Sequence, residues 1–158
     1  MTDVVSTPPL PASPENSSVE TPAFWPDIDV NELRERIRIG KSAITHARIE
    51  AAIHFAVAEV LRQLAAWHAL QVEAGHAVLA DVPADQIGGK STLEILFLRA
   101  VTMTAAAELS DRNPDLTLTR EGADRADLQM EAADDYRRSA TRAIRALQGR
   151  NGTTVELV

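Results

Sequence analysis

The chain has 158 residues, a net charge of −7, 45% apolar and 25% charged residues, and no cysteine. That length allows one domain with a real hydrophobic core. The missing cysteines exclude a disulfide framework and a thiolate metal site, and the acidic balance argues against a general nucleic-acid binder. Aromatics are only 4% and alanine is abundant, which favours packed helices over sheets. No run approaches the ~18 apolar residues of a membrane span. The start Met1-Thr2-Asp3-Val4-Val5 lacks the pattern of a secretory signal, so a cytosolic origin is expected.

In chain order, residues 1–23 are rich in Pro, Ser, Thr and acids, which predicts a disordered arm. Phe24 and Trp25, followed by Pro26, break that pattern and are expected to anchor the start of a folded part spanning 24–148. Asp29 and Glu32 stand at capping-box spacing and predict a short helix to about Arg38, ended by Gly40. Thr45 is the expected N-cap of a long helix to about Ala74, stopped by Gly75. Its apolar stripe is Ile49, Ile53, Val57, Val60, Leu64 and Trp67. Ser91 and Glu94 predict a second capping box. It opens a nearly all-apolar helix to about Leu109, which reads as the central helix of the core, before the stop at Asn113-Pro114. A third long helix begins between Arg120 and Asp124 and runs to Leu147. It buries Ala126, Met130, Ala133, Tyr136, Ala140, Ile144 and Leu147, with Gly149 at its C′ position. The expected fold is therefore an all-α bundle of three long helices plus one short helix, with extended N- and C-terminal tails.

The last long helix and the residues just after it carry two charge blocks. Six acids (Glu121, Asp124, Asp127, Glu131, Asp134, Asp135) against Arg125 precede five arginines without an acid (Arg137, Arg138, Arg142, Arg145, Arg150). The arginines read either as a solvated face that complements the helix dipole or as a contact for the acidic block of a neighbouring copy. Arg137, Arg138, Arg142 and Arg145 with Asp124, Asp127, Glu131 and Asp134 are the interface candidates. The acids could alternatively line a channel through which DNA slides. After Gly149 the segment 149–158 ends in Thr153, Thr154, Val155, Glu156, Leu157 and Val158, residues that favour extended structure and burial. They read as a docking tail that needs a partner.

Catalytic signatures are weak. Gly89-Lys90-Ser91 resembles the end of a phosphate loop, but the glycine required five residues before Gly89 is Ala84, with Asp85 inside the cradle. A helix start after a glycine turn explains the segment. Glu50 and His54 could share an ion on one helix face, yet His46, His68 and His76 complete no HExxH or second close pair. No cofactor or catalytic residue is expected. A small helical DNA-binding regulator is the rival from another class; it predicts salt-sensitive DNA affinity. A nucleotide-hydrolysing packaging factor is a weaker third.

Several segments together resemble the phage head completion protein (GpL) family of contractile-tailed temperate phages. They are Phe24-Trp25-Pro26; Glu59-Val60 with Gln63-Leu64-Ala65-Ala66-Trp67; the run ADVPADQI over 80–87; and Leu98-Arg99-Ala100-Val101 with Ala106-Ala107-Glu108-Leu109. Gly122-Ala123-Asp124-Arg125-Ala126-Asp127 and the closing Gln148-Gly149-Arg150 with 154–158 complete the set. The resemblance spans nearly all of the folded part and none of the first twenty or so residues. It implies a structural virion protein at the head–tail junction, present in the host cytoplasm during assembly. It further implies an adaptor ring, dodecameric on the portal protein, that retains packaged DNA and prepares the head to meet a tail or tail-terminator protein. DNA would pass through such a ring without sequence-specific binding, and no membrane is implied.

Overall fold

The computed structural model describes residues 13–37, 44–112 and 120–150, and only the backbone of 120–131. Among the described residues, three long helices and a short one make the fold all-α, accompanied by two minimal antiparallel strand pairs. β1 (Ser18–Val19) pairs with β2 (Ile28–Asp29), which leads into α1 (Val30–Arg36). α2 (His46–Glu73) is followed by a 3-10 turn at Leu79–Asp81 and the hairpin of β3 (Gln86–Ile87) and β4 (Lys90–Ser91). α3 (Thr92–Asp111) and α4 (Arg120–Leu147) follow.

Order begins earlier than composition suggests. Residues 13–23 fall in the expected arm, yet they are stitched to the fold. Val19 is buried, Val30 N–H donates to Ser17 O, and the Asn31 side chain donates to Pro14 O at 2.9 Å. Thr21 N–H donates to Asp27 Oδ1 at 2.9 Å, and Arg34 Nε donates to Ser13 Oγ. Prolines lack an N–H but keep a carbonyl acceptor, so a proline-rich segment can still be tied down by donors on its neighbours.

The helix ends follow the predicted chemistry with two departures. Asp29 accepts from Glu32 N–H at 2.8 Å, but Glu32 turns its carboxylate to Arg36. α1 then stops at Arg36, with Ile37 N–H bonded to Leu33 O; Gly40 lies outside the described residues. Thr45 occupies the N-cap of α2 without a side-chain cap bond. At Ser91 both halves of the capping box form. α2 ends with Gly75 N–H on Val72 O and His76 N–H on Gln71 O, and α4 with Gly149 N–H on Ala146 O and Arg150 N–H on Arg145 O. These are paired Schellman closures. Each needs a left-handed residue, supplied by Gly75 (φ 95°) and Gly149 (φ 69°).

Burial places α3 at the centre, packed against both α2 and α4. Its inward residues are Phe97 and mostly small ones: Ala100, Val101, Thr102, Ala105, Ala106 and Ala107. The bulky Leu93, Ile95, Leu96, Leu98 and Met103 are half-buried at the flanks. Small inward side chains let neighbouring helices approach closely while larger ones fill the margins. α2 contributes Ile49, Ile53, Val57, Val60 and Leu64 as predicted, whereas Trp67 is half-buried at the edge. The buried positions of α4 include Ala133, Ala140, Ile144 and Leu147, together with Ala143; Tyr136 is half-buried.

Candidate interaction surface

The aromatic anchor is built from sequence-distant residues. Phe24 and Trp25 are 6% exposed each. They sit edge-to-face at 5.0 Å, Trp25 stacks on Phe97 at 4.8 Å, and Trp67 lies 6.3 Å from Trp25. Such pairs add modestly to the area they bury. Phe24 O also accepts from Leu79 N–H at 2.7 Å, which fixes the loop after α2. His68 completes the group, 4.4 Å from Phe24, with its Nε2 buried and without a partner among the described residues. Sequence reading assigned Phe24 and Trp25 to an anchor but had no signal for His68, because a lone histidine on a helix has no periodic signature.

The charge blocks are partly neutralised within the chain. Arg137 donates to Asp134 at 2.7 Å and across to Asp111 on α3. These contacts, Asp111 first, raise its pKa above the ordinary arginine value. Arg138 pairs with Asp135. Two of the four arginines put forward as interface residues are thus engaged at home. Arg142 and Arg145 are exposed, and neither makes an ion pair among the described residues. The side chains of Asp124, Asp127 and Glu131 lie outside the description. So does the whole tail of Thr153, Thr154, Val155, Glu156, Leu157 and Val158.

A groove of about 390 Å³ lies between α2, α3 and α4, lined among others by Phe55, Glu59, Ala107, Glu108, Ala140 and Ile144. It escaped sequence reading because its walls come from three helices. Phe55 at its edge is half-exposed. Glu59 is held by Arg62 at 2.7 Å and by Gln63, which lower its pKa against the opposing effect of burial. Glu108 pairs with Arg112, and Asp111 with Arg137. With its carboxylates held in ion pairs and its floor apolar, the groove suits contact with another surface better than proton transfer.

The four histidines do not converge. His46 faces Glu50 at 4.0 Å, and among the described residues no group of three His, Cys, Asp or Glu side chains is placed to hold a metal. Gly89-Lys90-Ser91 forms the end of the β3–β4 hairpin, where Gly88 and Gly89 both take positive φ, as a tight hairpin turn requires. Among the described residues no helix is long and apolar enough to cross a membrane.

Residues 19–158 match the family model of the phage head completion protein (GPL). The chain is 33% identical over 142 residues to the head completion/stabilization protein of Escherichia phage P2, covering 90% of this chain and 83% of that protein. No solved structure matches it.

Proposed function

The chain belongs to the phage head completion protein (GPL) family, and on that premise we propose that it is an adaptor that closes the packaged head. It acts as a structural virion component. Copies form a ring on the portal protein after DNA packaging, retain the genome, and present a surface to the tail or tail-terminator protein. The observation that carries this reading is the match over 142 residues to a protein named for head completion and stabilization. The arrangement of side chains agrees with it, since the groove offers a contact surface whose carboxylates are already paired, while Arg142 and Arg145 stay exposed.

Within this reading the helical bundle forms the ring wall and the segment 153–158 docks on the portal, adding to a sheet edge by main-chain hydrogen bonds. Ordering a tail costs roughly 1–2 kcal/mol per residue, so a single tail binds weakly and a ring of tails gains by multivalency. Exposed Arg142 and Arg145 provide contact between copies. The rival reading as a DNA-binding regulator is weakened because Arg137 and Arg138 are held by aspartates of their own chain.

The test is to delete 153–158 and score both folding and virion yield. The variant should keep its helical signal yet fail to complete heads, and electron microscopy of the variant mixed with portal should show bare portals where the intact protein adds a ring. Normal virion yield would refute the docking role of the tail.

A further inference from the structure

α4 stops short of α2. Its last side chain bond, Gln148 Nε2 to Gln63 O at 3.0 Å, ties its end to the middle of α2. α2 continues ten residues beyond Gln63 to Glu73, about 15 Å at the helical rise. The two helices run in the same direction. Arg137 lies near Asp111, at the end of α3 that borders Phe55 in the groove, while Gln148 meets Gln63 two turns further along α2.

The side of α2 that faces the groove and α4 carries Phe55, Glu59 and Gln63 at four-residue steps. Helical spacing continues that side through Ala66 and Leu70, the latter two turns past Gln63. α4 has ended by then. Leu70 is accordingly 61% exposed, an apolar side chain on a face whose covering helix has run out, and Ala66 beside it is exposed as well. Gln148, just past the end of α4, reaches Gln63 at the base of this bare stretch, and the chain runs on from there through Arg150. Eight residues follow, and extended they reach about 26 Å, more than the length left uncovered.

We propose that the segment 153–158 of the same chain docks on the Ala66–Leu70 side of α2, continuing in extended form the cover that α4 provides further up. In an extended segment Val155 and Leu157 point to one side, about 6.7 Å apart. Ala66 and Leu70 are about 6 Å apart along the helix. The two apolar pairs are in register, Val155 over Ala66 and Leu157 over Leu70, with Glu156 turned to solvent. The tail thus has a resting site on its own bundle, occupied until a competing partner takes it. This goes beyond the portal-docking reading and does not depend on it.

Because the chain contains no cysteine, engineered pairs report the contact directly. In dilute full-length protein under mild oxidation, Leu70→Cys with Leu157→Cys should close an intramolecular disulfide at least about tenfold faster than Leu70→Cys with Glu156→Cys, whose side chain leaves the other face. Equal rates would overturn the proposal, and so would cross-linked dimers in place of monomers, which would assign the site to a neighbour's tail. A second measurement needs no cross-link: amide hydrogen exchange of 153–158 should accelerate at least about tenfold in Leu70→Asp, with exchange in the bundle unchanged. Unaltered exchange in that variant would also overturn it. Portal binding is scored separately, so a docked tail that portals ignore refutes the portal reading alone, and an undocked tail that portals require refutes this one alone.

Discussion

Trp25 stacks on Phe97 with ring centroids 4.8 Å apart and planes inclined by 24°. A residue from outside the helices therefore seals one side of the buried α3. Trp25→Ala should cost about 3–5 kcal/mol, the usual penalty for removing a large buried aromatic, and Trp25→Phe distinctly less. Urea unfolding followed by far-UV circular dichroism measures both; a loss below about 1 kcal/mol for the alanine variant would show that the anchor is dispensable.

Ser91 is 1% exposed and joins two roles, partner of β3 and cap of α3. Ser91→Ala should destabilise by about 1 kcal/mol through the lost cap. Combined with Glu94→Ala, the two losses should sum to less than additive, since each residue serves the other's bond. Strict additivity in denaturant midpoints would mean that the two bonds of the box act independently.

Arg137 links α4 to Asp111 of α3, but both side chains are about half-exposed. A double-mutant cycle with Arg137→Ala and Asp111→Ala should give a coupling below about 1 kcal/mol, shrinking further in high salt. Because the folded-state pKa of Arg137 is raised, its contribution is complete below the ordinary arginine value and fades only as pH rises through the raised one. Arginine titration should therefore leave the coupling constant between pH 6 and about 9.

Arg142→Glu with Arg145→Glu reverses two exposed charges on the last turns of α4. The melting temperature should drop by only a few degrees, from the unfavourable helix dipole. Ring formation on portals, counted by electron microscopy, should fall markedly. Wild-type ring counts would return these arginines to the role of a solvated face.

Local rules made much of this fold readable. The Ser91–Glu94 spacing, the glycine stops at Gly75 and Gly149, and the stripe from Ile49 to Leu64 each follow from short-range chemistry, and each stands where expected. Tertiary pairings were not readable in the same way. Nothing local announces that Ser18 will face Asp29, that His68 will join Phe24, or that Phe55, Ala107 and Ile144 will border one groove. The partners of the arginine block were hidden for a related reason. Its charge was visible, but an arginine three residues after an aspartate on a helix finds its partner one turn back, as Arg137 and Arg138 do. Sequence counts charge, while geometry decides where it is cancelled.

The alanines on the inner side of α3 have a mechanical consequence. With Ala100, Ala105 and Ala106 fully shielded, α3 meets its neighbours at these positions through methyl groups, which have no rotamers to change. Squeezing this part of the molecule would meet side chains that cannot turn aside, so it should transmit a load with little give. Any give must come from the longer side chains at the flanks. A pressure-perturbation measurement would see the middle of α3 as the least compressible part of the protein.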